Sequence, residues 1–183
     1  LMVAAEGLPF IKSGGLADVI GSLPNELAKK GHEVRVIMPL YLKIAQKFHH
    51  EFTLEAQFSV SIAYHEVPVN IWSTMRKDVK FYFVEHKGYF EREEMYGHID
   101  DGERFAYFQK AVIEMCNQLN YFPEIMHCHD WHTGMIPAMC KEGHSFDERY
   151  RNIRFVYTIH NLAYQGNFGV EMLDSCLGLD YRI

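Results

Sequence analysis

A chain of 183 residues with 18 basic against 24 acidic side chains carries a formal charge of −6, which speaks against a nucleic-acid binder. Hydrophobic residues make up 48% and charged residues 23%, a globular composition far from disorder or collagen, and the length suggests one domain. No apolar run approaches the roughly 20 residues of a membrane helix, and Cys116, Cys128, Cys140 and Cys176 form no C-x-x-C pair, so a soluble, intracellular chain with reduced thiols is expected.

Leu1–Ala5 is a short apolar run that reads as a strand opening into Glu6–Gly7–Leu8–Pro9. From Leu16 the residues Leu16, Val19, Ile20, Leu23 and Leu27 fall at helical spacing, with Gly31 where a helix commonly ends. Pro24 lies inside that pattern and predicts a kink or a restart, because its ring clashes with the carbonyl one turn earlier. Glu33–Met38 then reads as a second strand, which completes a βαβ unit of a parallel sheet.

Phe58–Tyr64, Val67–Thr74 and Val79–Val84 are consecutive β-rich runs with no helical pattern between them, so an antiparallel hairpin or meander is expected. A polar, aromatic-rich loop follows at Glu85–Asp101. Phe105, Phe108, Val112, Met115 and Leu119 mark a long amphipathic helix. Ile125–Cys128 reads as a buried strand, Thr133–Lys141 as a helix and Ile153–Ile159 as another strand, with Val170–Leu177 beginning a further helix. The sum is a doubly wound, mostly parallel α/β layer with an antiparallel β-hairpin excursion, and it reads as part of something larger.

In an open parallel sheet, ligands bind beyond the carboxyl ends of the strands, so the residues after each strand carry the functional reading. After the first comes Lys12–Ser13–Gly14–Gly15 before a helix start, whose free N–H groups and adjacent ammonium suit an anion such as phosphate, although a tight turn would use the same glycines. The loop lacks the G-x-G-x-x-G dinucleotide fingerprint and the G-K-[ST] of a nucleotide-triphosphate loop. After the Ile125 strand comes His127–Cys128–His129–Asp130–Trp131–His132. One reading is a metal site on His127, His129 and His132 with Asp130 bridging. The match to a binuclear metallohydrolase pattern fails because Trp131, not an aspartate, precedes the third histidine. The other reading buries His127 and turns Asp130 and Trp131 to the crevice as a carboxylate beside an aromatic plate, a pairing that suits a sugar. After the last strand, His160 and Asn161 bring a third polar cluster to the same edge, and together the three indicate a site.

Lys12–Ser13–Gly14–Gly15–Leu16–Ala17–Asp18–Val19–Ile20–Gly21, His129–Asp130–Trp131–His132 and His160–Asn161–Leu162–Ala163–Tyr164–Gln165–Gly166 closely resemble the bacterial glycogen synthase and plant starch synthase family. Tyr96–Gly97 and Asp101–Gly102–Glu103–Arg104–Phe105 resemble it too, so the likeness covers nearly the whole chain; Ser13 departs from the common threonine and keeps its hydroxyl. The resemblance implies a Rossmann-like fold, the N-terminal, acceptor-side domain of a two-domain GT-B retaining glucosyltransferase spanning residues 1–183, without the C-terminal nucleotide-sugar domain. It implies transfer of glucose from ADP-glucose to the 4-hydroxyl at the non-reducing end of an α-1,4-glucan such as glycogen or a maltooligosaccharide, in the cytoplasm, with no metal or cofactor.

By the same resemblance Lys12, Gly14, Gly15, Asp18 and Asn161 fall to the donor, Tyr96 and Trp131 to the acceptor, and Asp130 and His160 to catalysis. The family's second domain supplies an arginine, a lysine and a glutamate around the donor, so no transfer is expected from this chain alone. A metal-dependent hydrolase on His127, His129 and His132, or a non-catalytic glucan-binding module, are the alternatives.

Overall fold

A computed structural model describes residues 1–180. In chain order the strands are β1 (Met2–Val3), β2 (Arg35–Pro39), β3 (Thr53–Ile62), β4 (His65–Arg76), β5 (Val79–Glu85), β6 (Ile125–His129) and β7 (Arg154–Thr158). The helices are α1 (Gly15–Lys29), α2 (Leu42–Phe48), α3 (Lys87–Phe90), α4 (Asp101–Gln118), α5 (Ile136–Gly143) and α6 (Glu148–Arg151). The strands form one seven-stranded sheet in the order β3-β4-β5-β2-β1-β6-β7. From β5 to β7 every neighbouring pair is parallel, and β3 and β4 add an antiparallel meander to the β5 edge. The doubly wound layer and its antiparallel excursion are therefore as the sequence predicts.

The central strands are apolar because both of their faces are covered, as parallel strands require. Val36, Ile37 and Met38 of β2 and Phe81, Phe83 and Val84 of β5 are all buried. Phe10, from the loop after β1, sits among Phe48, Phe52, Phe81 and Phe83 with ring centroids 4.8–6.2 Å away. α4 is the principal core helix. It buries Phe105, Phe108, Val112 and Met115, the stripe expected from their spacing, while Glu103, Lys110 and Glu114 are half-buried and its last two residues are exposed.

Several expectations need correction. α1 runs uninterrupted through Pro24, which is buried in the helix face that meets the core. The Asn25 side chain donates to the Gly21 carbonyl at 3.0 Å and the Ser22 hydroxyl donates to the Asp18 carbonyl at 2.7 Å, supplementing the ladder that a proline weakens. α2 lies where no helix was expected, since Ile44 is the one buried residue in a seven-residue segment and leaves almost no periodic signal. The helix expected from Thr133 begins at Ile136, because Trp131–Thr133 forms a 3₁₀ turn with the Thr133 hydroxyl donating back to the His129 and Asp130 carbonyls. The Val170–Leu177 stretch holds a short helical start and a π turn at Leu173–Leu177.

Candidate active site

Five parallel strands point their carboxyl ends at one edge, in the order β5-β2-β1-β6-β7. The chain builds outward one way from β1 through β2 to β5, then the other way through β6 to β7. The direction reverses between β1 and β6, and this switch point is where such sheets open a ligand crevice. Met2 pairs with His127 and Val3 with Cys128, so the Glu6–Gly15 loop and Asp130 leave the sheet side by side. His160 follows on the next strand, whose Thr158 pairs with His129. The three polar clusters read from the sequence therefore share one crevice.

The glycine loop is built differently from its sequence-level reading. Glu6 is 3% exposed, and its carboxylate accepts the Ser13 N–H through Oε2 and the Gly14 N–H through Oε1 at 3.0 Å. A carboxylate of the chain itself thus satisfies two of the amides that would face an anion. Lys12 is committed as well, with Nζ donating to both carboxylate oxygens of Asp18 at 2.7 Å. Both of those side chains are exposed, so the pair is weak and exchangeable. The space beside Gly15 is open: a Cβ built there meets nothing within 4 Å. That opening, next to the N-terminus of a 15-residue helix and the Lys12 ammonium, is where an anionic group can approach the backbone.

Asp130 carries the strongest backbone signal in the crevice. Its φ of 57° and ψ of 178° belong to a region that glycine alone adopts readily, and such strain concentrates at functional sites. The conformation is held from several sides. The Asp130 N–H donates to the Thr158 carbonyl at 3.0 Å, Oδ1 accepts the His160 N–H at 2.7 Å, and the Thr133 hydroxyl reaches the Asp130 carbonyl at 3.1 Å. The carboxylate thereby staples the β6 loop to the β7 loop and sets where His160 leaves the sheet.

Three imidazoles run from β6 to that position. His127 stacks on His129 with centroids 4.0 Å apart, and His129 Nδ1 lies 2.9 Å from His160 Nε2. His127 Nε2 meets the Thr158 hydroxyl at 2.7 Å, which makes it the partnered sheet histidine of the second reading. Burial, followed by the nearby His127 and His160, holds His129 down to about 3, so it is neutral at ordinary pH. His132 does not join this row. Its ring stacks on Trp131 at 4.0 Å and meets Phe105 at 4.6 Å, pointing into the core. The His127–His129–His132 metal set is thereby overturned, and no cluster of three or more His, Cys, Asp or Glu among the described residues could hold a metal ion.

Tyr96, from the loop after β5, packs between His132 of the turn after β6 and Ser13 of the glycine loop. Its ring lies 4.9 Å from His132, and its phenol is held well above the ordinary range by burial and then by the charge of Glu6, with Ser13 opposing. The loop is clamped by Arg104, which is wholly buried. Its guanidinium donates to Asp101 Oδ1 at 2.7 Å, to the Tyr89 carbonyl at 2.8 Å and to the Met95 carbonyl, while Asp101 Oδ2 accepts the Gly97 N–H at 2.8 Å. Tyr96 therefore sits between two anchored neighbours, Met95 and Gly97.

Trp131 is not the open plate that the sequence suggests. His132 covers it on one side, Phe105 meets it edge-on at 5.2 Å and Phe168 lies 5.3 Å away. The 161–169 loop closes over it, and Gly166 approaches so tightly that a Cβ there would stand 2.4 Å from the indole. Asn161 is exposed and spends Oδ1 on the Ala163 N–H at 3.0 Å, an Asx turn that shapes the same loop. Glu6 is a site-building residue that reasoning from sequence left without a role, while His129, read there as a metal ligand, and Asp101 and Arg104, noted only within a family-like motif, have structural roles that the sequence did not assign. Glu6 and His129 had a usable signal, being polar residues at the ends of apolar strands. Asp101 and Arg104 stand in the family-like motif, but their spacing is that of an ordinary helical charge pair and does not announce the clamp.

Comparison with known proteins adds to this geometry. Residues 1–182 match the family model described as the starch synthase catalytic domain. The chain is similar to glycogen synthase of Streptococcus agalactiae (strain NEM316), 46% identical over 179 residues covering 98% of this chain and 38% of that one. It is also similar to glycogen synthase of Clostridium kluyveri, 44% identical over 180 residues with the same two coverages, 98% and 38%. Among solved structures, the catalytic domain of starch synthase IV from Arabidopsis thaliana, bound to ADP and acarbose, superposes with a TM-score of 0.87 at 30% identity, covering 99% of this chain and 37% of that one. The chain thus spans about 38% of the length of the curated relatives it matches.

Proposed function

The chain belongs to the starch synthase catalytic-domain family, and from that premise we propose that it forms the acceptor-side half of a GT-B active site which transfers glucose, with retention, from ADP-glucose to the 4-hydroxyl at the non-reducing end of an α-1,4-glucan. The activity is assigned to the whole protein, since the relatives called glycogen synthase are longer than this chain. One observation carries the reading: the glycine loop, Asp130 and His160 meet at the β1/β6 switch point, on a fold whose structural relative holds ADP and acarbose. The four cysteines, all buried and unpaired, support a reducing, cytoplasmic setting. No described helix is long and apolar enough to cross a membrane.

Cleavage of the donor leaves positive charge on the sugar and negative charge on the diphosphate. Lys12 and the start of α1 lie on the phosphate side, where fixed positive charge and helix N–H groups lower the barrier without reorganising. Gly15 leaves the backbone open to the diphosphate, Gly14 holds the turn through its bond to Glu6, and Asp18 is the carboxylate the diphosphate must displace from Lys12. Asp130 and His160, joined through the Oδ1 contact, face the sugar side as acceptor and imidazole. No carboxylate here is placed as a covalent nucleophile, and no metal or cofactor is required. Trp131 and Tyr96 shape the acceptor wall, Trp131 from beneath the 161–169 loop, and Asn161 shapes that loop from the donor side.

The test is an assay of the whole protein with radiolabelled ADP-glucose and maltooligosaccharide, with UDP-glucose in parallel. Lengthened α-1,4 chains and released ADP are expected, and Asp130→Asn should abolish both while leaving the fold intact. Transfer from UDP-glucose alone would overturn the donor, and glucan binding with no transfer from either donor would leave a binding module in place of the enzyme.

A further inference from the structure

His129 is fully buried, and its two ring nitrogens have opposite fates. Nδ1 lies 2.9 Å from His160 Nε2, whereas Nε2 is buried with no hydrogen-bond partner among the described residues. The His129 and His160 rings are nearly parallel at 25°, with centroids 5.2 Å apart across that 2.9 Å contact, an end-to-end arrangement in which the hydrogen bond lies along the line of the rings. One proton must sit between the two nitrogens. If it belonged to His160, His129 would carry its own proton on Nε2, as an N–H donor buried against nothing. Orphaned buried donors are rarer than under-satisfied acceptors, so the proton belongs on His129 Nδ1 and Nε2 is left as a bare lone pair.

We propose that His129 is a positioning residue for His160, donating from Nδ1 to His160 Nε2 and so locking His160 in the tautomer whose proton is on Nδ1. The remaining nitrogen of His160 is then an N–H donor, suited to an oxygen of a sugar or phosphate, and the ring cannot turn over without breaking the bond to His129. Burial supports this assignment, since it keeps His129 neutral and so limits it to one ring proton. The lock is general to the crevice. Its use in glucosyl transfer rests on the reading proposed above.

The tautomer is read directly by long-range ¹H–¹⁵N correlation of the imidazoles in the whole protein labelled at histidine, which needs neither substrate nor activity. A protonated Nδ1 and a bare Nε2 on His160 are expected. His160 protonated on Nε2 in the unaltered protein would overturn the proposal. His129→Phe removes the donor and should return His160 toward the Nε2–H form that free histidine prefers. His129→Asn keeps a donor near the Nδ1 position and should retain the lock. Where Phe fails to fold, the unaltered protein and the Asn variant still decide the question. In the transfer assay His129→Phe should lower kcat with little change in KM, on the order of the 10–100-fold lost when a metal-bound histidine loses its orienting partner, and Asn should restore most of it. Equal loss in both variants, with His160 unchanged, would reduce His129 to a packing residue. A locked tautomer in a protein that transfers no glucose would sink the transferase reading and leave the lock standing.

Discussion

Glu6 Oε1 accepts the backbone N–H of Gly14 at 3.0 Å, so a buried carboxylate from the end of β1 holds the loop that the sequence reads as an anion site. Its other oxygen takes the Ser13 N–H, and the two bonds together fix the turn into α1. Charge-assisted bonds of this kind are stronger than neutral ones. Glu6→Ala should therefore destabilise the protein by about 1–3 kcal/mol in urea denaturation, and Glu6→Gln, which keeps one acceptor, by less. Inorganic phosphate should raise the Tm of the alanine variant more than that of the unaltered protein, because it can occupy the vacated amides. Equal responses to phosphate would mean that the Ser13 and Gly14 amides take no anion when Glu6 leaves them.

Arg104 and Asp101 make the corresponding device for the Tyr96 loop. Removing the arginine leaves a nearly buried aspartate unpaired, and breaking such a pair costs about 3–5 kcal/mol. Arg104→Met should show that loss in denaturant and also release the Met95 and Tyr89 carbonyls, so trypsin should cut faster after Arg92. A stability loss without faster cutting would show that the loop is held by Asp101 and the Arg92–Asp100 pair alone.

What the sequence carries, and what it does not, follows from these two cases. Strand and helix periodicity reports which face is apolar, so the parallel layer, the meander and the α4 stripe are all legible. The polar residues at strand ends are legible as a set, because a parallel sheet brings them to one edge. Their partners are not. Nothing in the spacing of Glu6 and Gly14, or of Asp101 and Gly97, distinguishes a carboxylate that meets backbone amides from one that meets water. The metal reading of the histidines fails for the same reason. A 3₁₀ turn after Asp130 sends His132 into the core, and that turn depends on a backbone conformation that no residue pattern announces. Pro24 and α2 mark the limit from the other side, where side-chain bonds and tertiary burial override local rules.

Gly166 sits at φ 64°, with the Trp131 indole 2.4 Å from where a Cβ would be. Gly166→Ala therefore combines a left-handed backbone with a collision against a large ring, and should cost about 1–3 kcal/mol. The informative readout is local. Trp72 and Trp131 are the two indoles of the chain, and Trp72 donates to Glu85 at 2.8 Å on the far side of the sheet. In an amide NMR spectrum the Trp131 side-chain N–H should move and that of Trp72 should stay. Under the function proposed above, glucan binding should weaken in parallel, since the loop packed on Trp131 would be displaced. Unmoved Trp131 with weakened binding would place the glycine, rather than the indole, against the ligand.

His129 and His132 are both held down to about 3 from an ordinary 6.5, by burial first in each case. The unfolded chain takes up protons at these positions as pH falls through 6.5, while the folded chain refuses them until near 3, so the unfolded state gains on the folded state throughout that window. Stability from this source is complete above 6.5 and falls with acidification by about 1.4 kcal/mol per pH unit for each histidine. Urea denaturation at steps from pH 7 to about 4.5, above the range where unfolded carboxylates take up most of their protons, should show that slope. His132→Phe replaces a ring that already packs on Trp131 and Phe105 and removes the buried, unpartnered Nδ1. It should flatten the slope by about one proton and leave stability at pH 7 equal or higher. An unchanged slope in that variant would mean that His132 reaches solvent and titrates in the folded state, and the acid sensitivity would then belong to His129 and to His127 and His86, which burial also holds below the ordinary range.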